Sequence, residues 1–196
     1  MQPLPALTQG LEILNPFLTK QGFKFDDYEN GKGVGEQFTV GTYINGNKKF
    51  ILSYHPSIGQ VIYQFDKAKI YHDFYLDQLG LAYKKKFQDF LSADKLLAFT
   101  HILHDFEFLV DDFFQGQCIK LKEFSKQQDN ILADYNKKSH EEFSIRFDKI
   151  RIETARDEFG RKDFKKTMGI YSKVENKNLL NDLDKNIIAY CKRHIL

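Results

Sequence analysis

Residues 37–65 have the sequence QFTVGTYINGNKKFILSYHPSIGQVIYQF, and this stretch decides the fold. Apolar and polar residues alternate along three runs, which is the pattern of antiparallel strands that bury one face of a sheet. Asn45-Gly46-Asn47 separates the first two runs, and the segment from Pro56 to Gly59 separates the second from the third. Both separators contain residue types that favour tight turns. The stretch therefore predicts an antiparallel meander of three strands.

The length of the first loop sets the register of the meander. A three-residue loop at 45–47 pairs Val40 with Leu52 and collects the apolar residues on one face. A two-residue loop would pair Phe38 with Ser53 and mix the two faces, so we expect the longer loop. The face expected to be buried carries Phe38, Val40, Thr42, Ile44, Lys48, Phe50, Leu52, Tyr54, Val61, Tyr63 and Phe65. The opposite face carries Thr39, Tyr43, Ile51, Ser53, His55, Ile62 and Gln64.

Helical periodicity is found on both sides of the meander. Residues 4–21 place four leucines on one face of a helix, and Pro16 predicts that this helix kinks or restarts near Asn15. Phe23 and Phe25 alternate with polar residues and indicate a further strand. More helices are predicted at 71–79, from Ser92 to Gly116, and at 117–128, 130–159, 162–174 and 179–194.

The predicted fold class is therefore α+β. It consists of an N-terminal helix, a small antiparallel meander of three to four strands, and a helical C-terminal half. Gly116, which ends a helix, is the predicted domain boundary. Residues 1–116 would form the α+β domain, and residues 117–196 would pack on it as a helical region or form a small lobe.

The composition narrows the classes of function. The chain has 196 residues, and 29 basic against 27 acidic residues give a net charge of +2. This balance does not provide the concentrated positive field that favours non-specific binding to nucleic acids or membranes. There is no apolar run of about 20 residues, the length that a membrane span requires. With only Cys118 and Cys191 and no secretory signal pattern, a cytoplasmic location is expected.

Two His-Asp dipeptides, His72-Asp73 and His104-Asp105, are the candidate catalytic residues. His101, His104 and Asp105 occupy helix positions i, i+3 and i+4, so their side chains could converge on a divalent metal. Such a metal could activate water for phosphoester hydrolysis. The pattern resembles the histidine–aspartate phosphohydrolase family, and the resemblance implies this metal-dependent chemistry. The alternative interpretation is that these polar residues flank aromatic core positions on helix surfaces.

Neither the glycine-rich loop nor the cysteines predict a cofactor or a nucleophile. Residues 31–35, GKGVG, lack the spacing of a phosphate-binding loop, and no helix N-terminus follows them. Cys118 has Lys120 and Lys122 nearby, but no pattern places a histidine beside it. We therefore expect an inter-strand loop, a structural or exposed thiol, and no cofactor.

Basic residues are concentrated toward the C-terminus. From Lys137 to Lys173 there are 11 basic and 7 acidic residues, an excess of four positive charges. The densest cluster contains Arg161, Lys162, Lys165 and Lys166, with Phe164 between them. The run is either a solvated helix face or a contact surface for nucleic acid or an acidic protein.

The last 45 residues contain a helical-hairpin pattern. Ala155, Asp163-Phe164, Thr167, Tyr171 and Val174 have the spacing of small, aromatic and turn residues around the second helix of a repeat. This spacing resembles the tetratricopeptide family. The resemblance implies a packed helix pair and a protein-binding role, but only one unit is visible.

Three functional hypotheses follow from the sequence. The first is a non-enzymatic protein-interaction protein, such as an adaptor, accessory subunit or immunity protein of a bacterial system. Its candidate contact residues are Tyr43, Ile51, His55 and Ile62 on the sheet face, and Arg161, Lys162, Lys165 and Lys166 near the C-terminus. The second is a metal-dependent phosphohydrolase or nuclease that uses His101, His104 and Asp105, with His72 and Asp73 as further candidates. The third is an accessory subunit that binds nucleic acid.

Overall fold

The structure, a computed structural model, describes residues 5–32, 37–55, 57–87 and 94–195. The chain has the predicted α+β class, with an N-terminal helix, an antiparallel sheet and a helical C-terminal half. The helices are α1 (Pro5–Lys20), α2 (His72–Gln78), α3 (Leu97–Phe106), α4 (Ile119–Gly160), α5 (Phe164–Tyr171) and α6 (Asp182–His194). A 3-10 turn (Glu107–Leu109) and a π-helical turn (Val110–Phe114) follow α3, and a 3-10 turn (Lys177–Leu179) precedes α6.

The sheet has five described strands, one or two more than the meander predicts. They are β1 (Lys24–Lys32), β2 (Gln37–Asn45), β3 (Lys48–Tyr54), β4 (Ile58–Phe65) and β5 (Ala68–Tyr71), and they neighbour one another in sequence order. The strand missed by the sequence is β5, which is only four residues long. The predicted helix cap at Ser92 and the glycines at 33 and 35 lie outside the described residues.

The predicted register between β2 and β3 is wrong by one residue. Asn45 pairs with Lys48 and Tyr43 with Phe50, so the loop has two residues. The inner face of β2 therefore presents Gly41 and Tyr43, and not Val40. A Cβ atom at Gly41 would lie 3.1 Å from Leu11 Cδ1 of α1, so α1 packs closely over this position. Counting apolar residues could not reveal that a glycine is needed on the buried face.

The chain forms two compact units, Met1–Asn130 and Ile131–Leu196. The division lies inside α4 and not at Gly116, where the sequence placed it. Cys118 and Leu121, which follow that glycine, are buried in the core of the first unit. The two helices predicted at 117–128 and 130–159 are one continuous helix.

The first unit is organised around the inner face of the sheet. The leucine stripe of α1 is buried as predicted, and α1 runs through Pro16 as one helix. Phe50 of β3, Tyr63 of β4 and Phe106 of α3 lie against one another, with ring centroids 5.1–6.5 Å apart. Aromatic rings therefore fill the space between the sheet and the helices.

The outer edge of the sheet at β5 is covered by the start of α4. The Lys69 amide donates to Ser125 Oγ at 3.1 Å, and the Tyr71 amide donates to Gln128 Oε1 at 2.9 Å. Two backbone groups that an edge strand leaves unpaired are thus bonded to helix side chains. None of the described helices is long and apolar enough to cross a membrane.

The second unit has a small core of its own. Its buried residues are Ile152, Ala155, Tyr171, Val174, Ile187 and Cys191. Helix α6 begins with a capping box, in which Asn181 and Asp184 exchange side-chain-to-backbone hydrogen bonds. Of the positions that carry the tetratricopeptide-like spacing, Ala155, Thr167, Tyr171 and Val174 are buried, Phe164 is half-buried and Asp163 is exposed.

Gly10 of α1 lies directly against the ring of Phe99 in α3. A Cβ atom there would lie 2.2–2.4 Å from three ring atoms of Phe99, which is itself fully buried and stacked on Tyr54. We expect Gly10→Ala to lower the free energy of unfolding by about 1–3 kcal/mol, the usual cost of overpacking a core. The measurement is urea unfolding followed by circular dichroism.

The matched control is Gly169→Ala in α5, where a Cβ atom would meet open space. Because alanine favours a helix over glycine, this variant should be more stable by up to about 1 kcal/mol. A Gly10→Ala protein as stable as the wild type would contradict the close approach of α1 to Phe99.

Candidate functional site

The two predicted His-Asp dipeptides meet at one buried carboxylate. His72, the first residue of α2, places Nε2 at 3.1 Å from Asp105 Oδ2, and His104 of α3 places Nδ1 at 2.9 Å from Asp105 Oδ1. The hydroxyl of Tyr63 on β4 lies 2.7 Å from His72 Nδ1. Tyr63, His72 and Asp105 are all buried. A polar network therefore joins the sheet, α2 and α3 inside the core.

Asp105 accepts two further hydrogen bonds from the backbone. The amide of Lys86 lies 2.8 Å from Oδ1, and the amide of Phe87 lies 2.9 Å from Oδ2. Together with the two histidines, these donors fill the lone-pair positions of the carboxylate. Burial alone would raise the pKa of Asp105, but the hydrogen bonds from His72, His104 and the two amides lower it to about 2. Asp105 is therefore ionised, and its hydrogen-bond acceptor positions are already occupied by protein donors.

The hydrogen bonds of this network run in one direction, from the Tyr63 hydroxyl through His72 to Asp105. Since ionised Asp105 can only accept, His72 Nε2 must donate to it. In neutral His72, Nδ1 then accepts from the Tyr63 hydroxyl. Burial, followed by the negative charges of Asp105 and Asp73, raises the pKa of Tyr63 well above 10. The network holds its protons in place and has no exposed member among Tyr63, His72 and Asp105, so we interpret it as structural.

The other two predicted residues lie apart from this carboxylate. Asp73 is exposed and forms an ion pair with Lys85 at 3.0 Å. His101 is half-buried, and its Nδ1 makes no hydrogen bond. No group of three or more His, Cys, Asp or Glu side chains within the described ranges could hold a metal ion. The predicted convergence of His101, His104 and Asp105 is not found, because Asp105 faces the interior and His104 bonds directly to it.

Cys118 is held in the turn that starts α4. Its φ is +55°, and the carboxylate of Asp112 caps the helix by accepting from the amides of Lys120 (3.1 Å) and Leu121 (2.9 Å). Tyr75 donates its hydroxyl to the same carboxylate. Burial raises the pKa of Cys118 to about 11. The thiol is therefore protonated near neutral pH and is a poor nucleophile.

The sheet face proposed as a contact surface has a different composition from the predicted one. Ile51, His55 and Ile62 lie on the outer face and are half-buried. Tyr43 does not, because the register shift turns it inward: it is 1% exposed and donates its hydroxyl to Asn15 of α1. The outer face of β2 carries Val40, Thr42 and Ile44, and not Thr39 and Tyr43 as predicted. Tyr43 is therefore a core residue and is corrected as a partner candidate.

Helix α4 carries a series of exposed large apolar side chains that the sequence analysis missed. Its exposed large apolar residues after position 130 are Ile131, Leu132, Tyr135, Phe143, Ile145, Phe147 and Ile150. Helical spacing places four of them on one face, which we name the α4 stripe: Leu132, Phe143, Phe147 and Ile150. These four side chains are 39–57% exposed.

The predicted basic cluster lines a cleft in the second unit, which we name the cationic cleft. It has a volume of about 510 Å³ and lies where the turn after α4 meets the end of α6. The lining residues are Arg161, Lys162, Asp163, Phe164, Lys165, His194 and Ile195. Of the four predicted basic residues, Lys166 is turned toward Glu158, at 2.9 Å, and is not part of the lining.

No family model matches this chain, and neither a curated protein nor a solved structure does. The tetratricopeptide-like spacing is therefore a local resemblance of the last 45 residues. The resemblance predicts a packed helix pair, and Ala155, Tyr171 and Val174 do share one core in the second unit. Its implication of protein binding stays a prediction.

Proposed function

We propose that the protein is a non-enzymatic interaction protein, an adaptor, accessory subunit or immunity protein of a bacterial system. The observation that carries this proposal is the α4 stripe. Large apolar side chains grouped on one exposed face are typical of surfaces that bind another protein. Aromatic residues such as Phe143 and Phe147 contribute much of the binding energy when a partner covers them.

The proposed partner presents an apolar surface that accepts one face of a helix. An amphipathic helix binds a groove through anchors at spacings of three and four residues. Phe143, Phe147 and Ile150 have this spacing. The half-buried aliphatic residues Ile51 and Ile62 on the outer face of the sheet provide a second surface for the same role.

The polar network supports a non-catalytic interpretation of the His-Asp dipeptides. The four donors to Asp105 leave it without capacity for a metal or a substrate proton. The alternative function is a metal-dependent phosphohydrolase or nuclease. It would require the Asp105 carboxylate to give up hydrogen bonds to protein in order to bind a metal ion. A transition metal bound to the purified protein, and absent from a His104→Ala variant, would favour that alternative.

The cellular location is inferred from the cysteines. Cys118 and Cys191 are both free and buried, one in each unit. Unpaired thiols are usual in reducing compartments. We infer a cytoplasmic location, where the partner would also be found.

The decisive variant is Phe147→Asp, which places a charge at the centre of the α4 stripe. Because truncating or charging a central anchor costs about 2 kcal/mol or more, we expect partner binding to weaken at least about 30-fold. The measurement is co-purification from native cells, followed by titration of the purified partner. Phe147 is 57% exposed, so the variant should fold normally, and circular dichroism checks this.

The matched control is Ile131→Asp on the same helix, because Ile131 is 56% exposed but lies off the stripe. This control and His101→Ala should retain the partner at wild-type affinity. A partner that binds Phe147→Asp as tightly as the wild type, or the lack of any stoichiometric partner, would contradict the proposal.

A further inference from the structure

The lining of the cationic cleft combines basic residues with the rings of Phe164 and His194. It is built entirely from the second unit, from the turn after α4, the start of α5 and the end of α6. A volume of about 510 Å³ is within the range of sites that hold small ligands. The cleft uses none of the residues of the α4 stripe, so it is independent of the proposed function.

Asp163 is the acidic residue in the described lining of the cleft, and both Asp163 and the nearby Glu158 accept hydrogen bonds from protein. Glu158 is nearly buried and accepts from Arg161 Nη1 at 3.0 Å and from Lys166 Nζ at 2.9 Å. The carboxylate of Asp163 caps α5 by accepting from the Lys166 amide at 3.0 Å. Lys165 and Lys162 are exposed, and neither forms an ion pair with any residue that the structure describes. Their charges are therefore available to an anion.

The backbone at Lys162 is strained, although the residue is not a glycine. Its φ is +65°, and its amide donates to the Phe159 carbonyl at 2.9 Å while the Asp163 amide donates to the Glu158 carbonyl at 3.1 Å. Glycine is the usual residue at this position after a helix, because a side chain is unfavourable there. Lys162 therefore adopts a backbone conformation that is costly for a residue other than glycine.

Phe164 and His194 line the cleft, and Tyr190 packs against both rings from outside the lining. The rings of Tyr190 and His194 lie 4.0 Å apart with an angle of 11° between their planes. His194 Nδ1 donates to the Tyr190 carbonyl at 2.8 Å, which fixes the orientation of the imidazole. Phe164 contacts both rings, with centroids 5.6 and 6.1 Å away. Since His194 is exposed and lines the cleft, a flat ligand can extend the stack.

We propose that the cationic cleft binds a nucleotide, either free or as one unit of a single strand. Lys162 and Lys165 contact the phosphate, and the base stacks on the His194–Tyr190 pair. Cationic side chains that track phosphates beside aromatic rings are the common means by which proteins bind single strands. An acidic peptide would use the same charges but would have no use for the stacked rings, so the rings favour the nucleotide.

The experiment measures fluorescence anisotropy of a labelled oligothymidylate at several salt concentrations. Lys162→Gly should weaken binding about five- to tenfold and reduce the slope of log affinity against log salt by about one, because one phosphate contact is lost. The same substitution relieves the left-handed strain, so its unfolding midpoint should rise. Weaker binding in a more stable protein separates the ligand contact from a folding defect.

His194→Ala tests the stack. We expect it to weaken binding about 5- to 100-fold with the salt slope unchanged, because stacking on an aromatic ring carries no counterion release. The control is Lys185→Ala, an exposed cation on α6 that pairs with Asp182 at 3.3 Å and lies outside the cleft lining. This control should bind like the wild type.

Unlabelled competitors distinguish a free nucleotide from a single strand. If thymidine monophosphate competes as strongly as the oligonucleotide, the ligand is a free nucleotide; if only the oligonucleotide competes, the ligand is a single strand. Either result supports the proposed nucleotide site. Three results would overturn it: no saturable binding at low salt, Lys162→Gly binding like the wild type, or His194→Ala binding like the wild type while polyglutamate competes equally. The last result would assign the cleft to an acidic protein surface.

Discussion

Replacing Asp105 by alanine is expected to lower the free energy of unfolding by about 3–5 kcal/mol, the cost of breaking a buried charged network. The carboxylate is fully buried and is the common acceptor for His72, His104 and the amides of Lys86 and Phe87. Without it, all four donors lose this acceptor, and the loss is most costly at His72, which is buried, because an unsatisfied buried polar group is unfavourable. Urea unfolding followed by circular dichroism provides the measurement.

The pH dependence of the same site gives a second readout. The hydrogen bonds lower the folded-state pKa of Asp105 to about 2, below its ordinary value. A lowered pKa means that the carboxylate stabilises the fold above the unfolded-state pKa, and that this contribution disappears as the pH falls through the folded-state value. The stability difference between the wild type and Asp105→Asn should therefore be full above about pH 5 and shrink toward pH 2.

The control for Asp105 is Asp77→Asn, which removes an exposed carboxylate 3.2 Å from Lys85. Surface pairs of this kind contribute about 0–1 kcal/mol, so its unfolding curve should nearly match that of the wild type. If Asp105→Ala were as stable as Asp77→Asn, the polar network would have no structural role. The carboxylate would then be free to serve as a ligand or a base.

The second large effect is expected for Asp184→Ala in the second unit. Asp184 is fully buried and is held by Arg156 through two parallel hydrogen bonds of 2.8 Å, by the Tyr171 hydroxyl at 2.8 Å, and by the Asn181 amide at 3.0 Å. The hydrogen bond from Arg156 is the main cause that lowers the pKa of Asp184. Removing the carboxylate leaves a guanidinium and a buried phenol without partners and also breaks the capping box of α6.

We expect Asp184→Ala to cost about 3–5 kcal/mol. Hydrogen exchange followed by mass spectrometry should show the loss of protection in residues of the second core, such as Ile187 and Cys191, and none in the first core. Asp182→Ala is the control, because Asp182 is almost fully exposed and lies in the same first turn of α6. A uniform loss of protection across both cores would contradict two separately stabilised units.

The fold class was predictable because its main signals are periodic. The leucine stripe of α1 and the alternation in β3 and β4 depend on which side of an element faces the core, and the sequence records this directly. The register of β2 was not predictable in the same way. Its inner face holds Gly41, whose small size matters only because Leu11 of α1 lies above it. The division inside α4 is also a tertiary property, since a continuous helix has no sequence signal for a change of unit.

The candidate sites were predictable only as residue types. His72, His104 and Asp105 were singled out from the sequence, but the amides of Lys86 and Phe87 that complete the network have no side-chain signature. The basic cluster around Lys162 was likewise visible, whereas the arrival of His194 beside it depends on the packing of α6. The α4 stripe was missed because an apolar residue on a helix is normally assigned to a core.

The bonded edge at β5 has a consequence for the behaviour of the protein at high concentration. Because α4 covers β5, the described sheet can be extended only along β1, where an added strand would begin an ordered aggregate. Strand β1 carries Asp26 and Asp27 at an irregularity between Phe25 and Tyr28, and like charges on a bent edge repel a second copy. Neutralising these two carboxylates would remove that repulsion between the β1 edges of two copies.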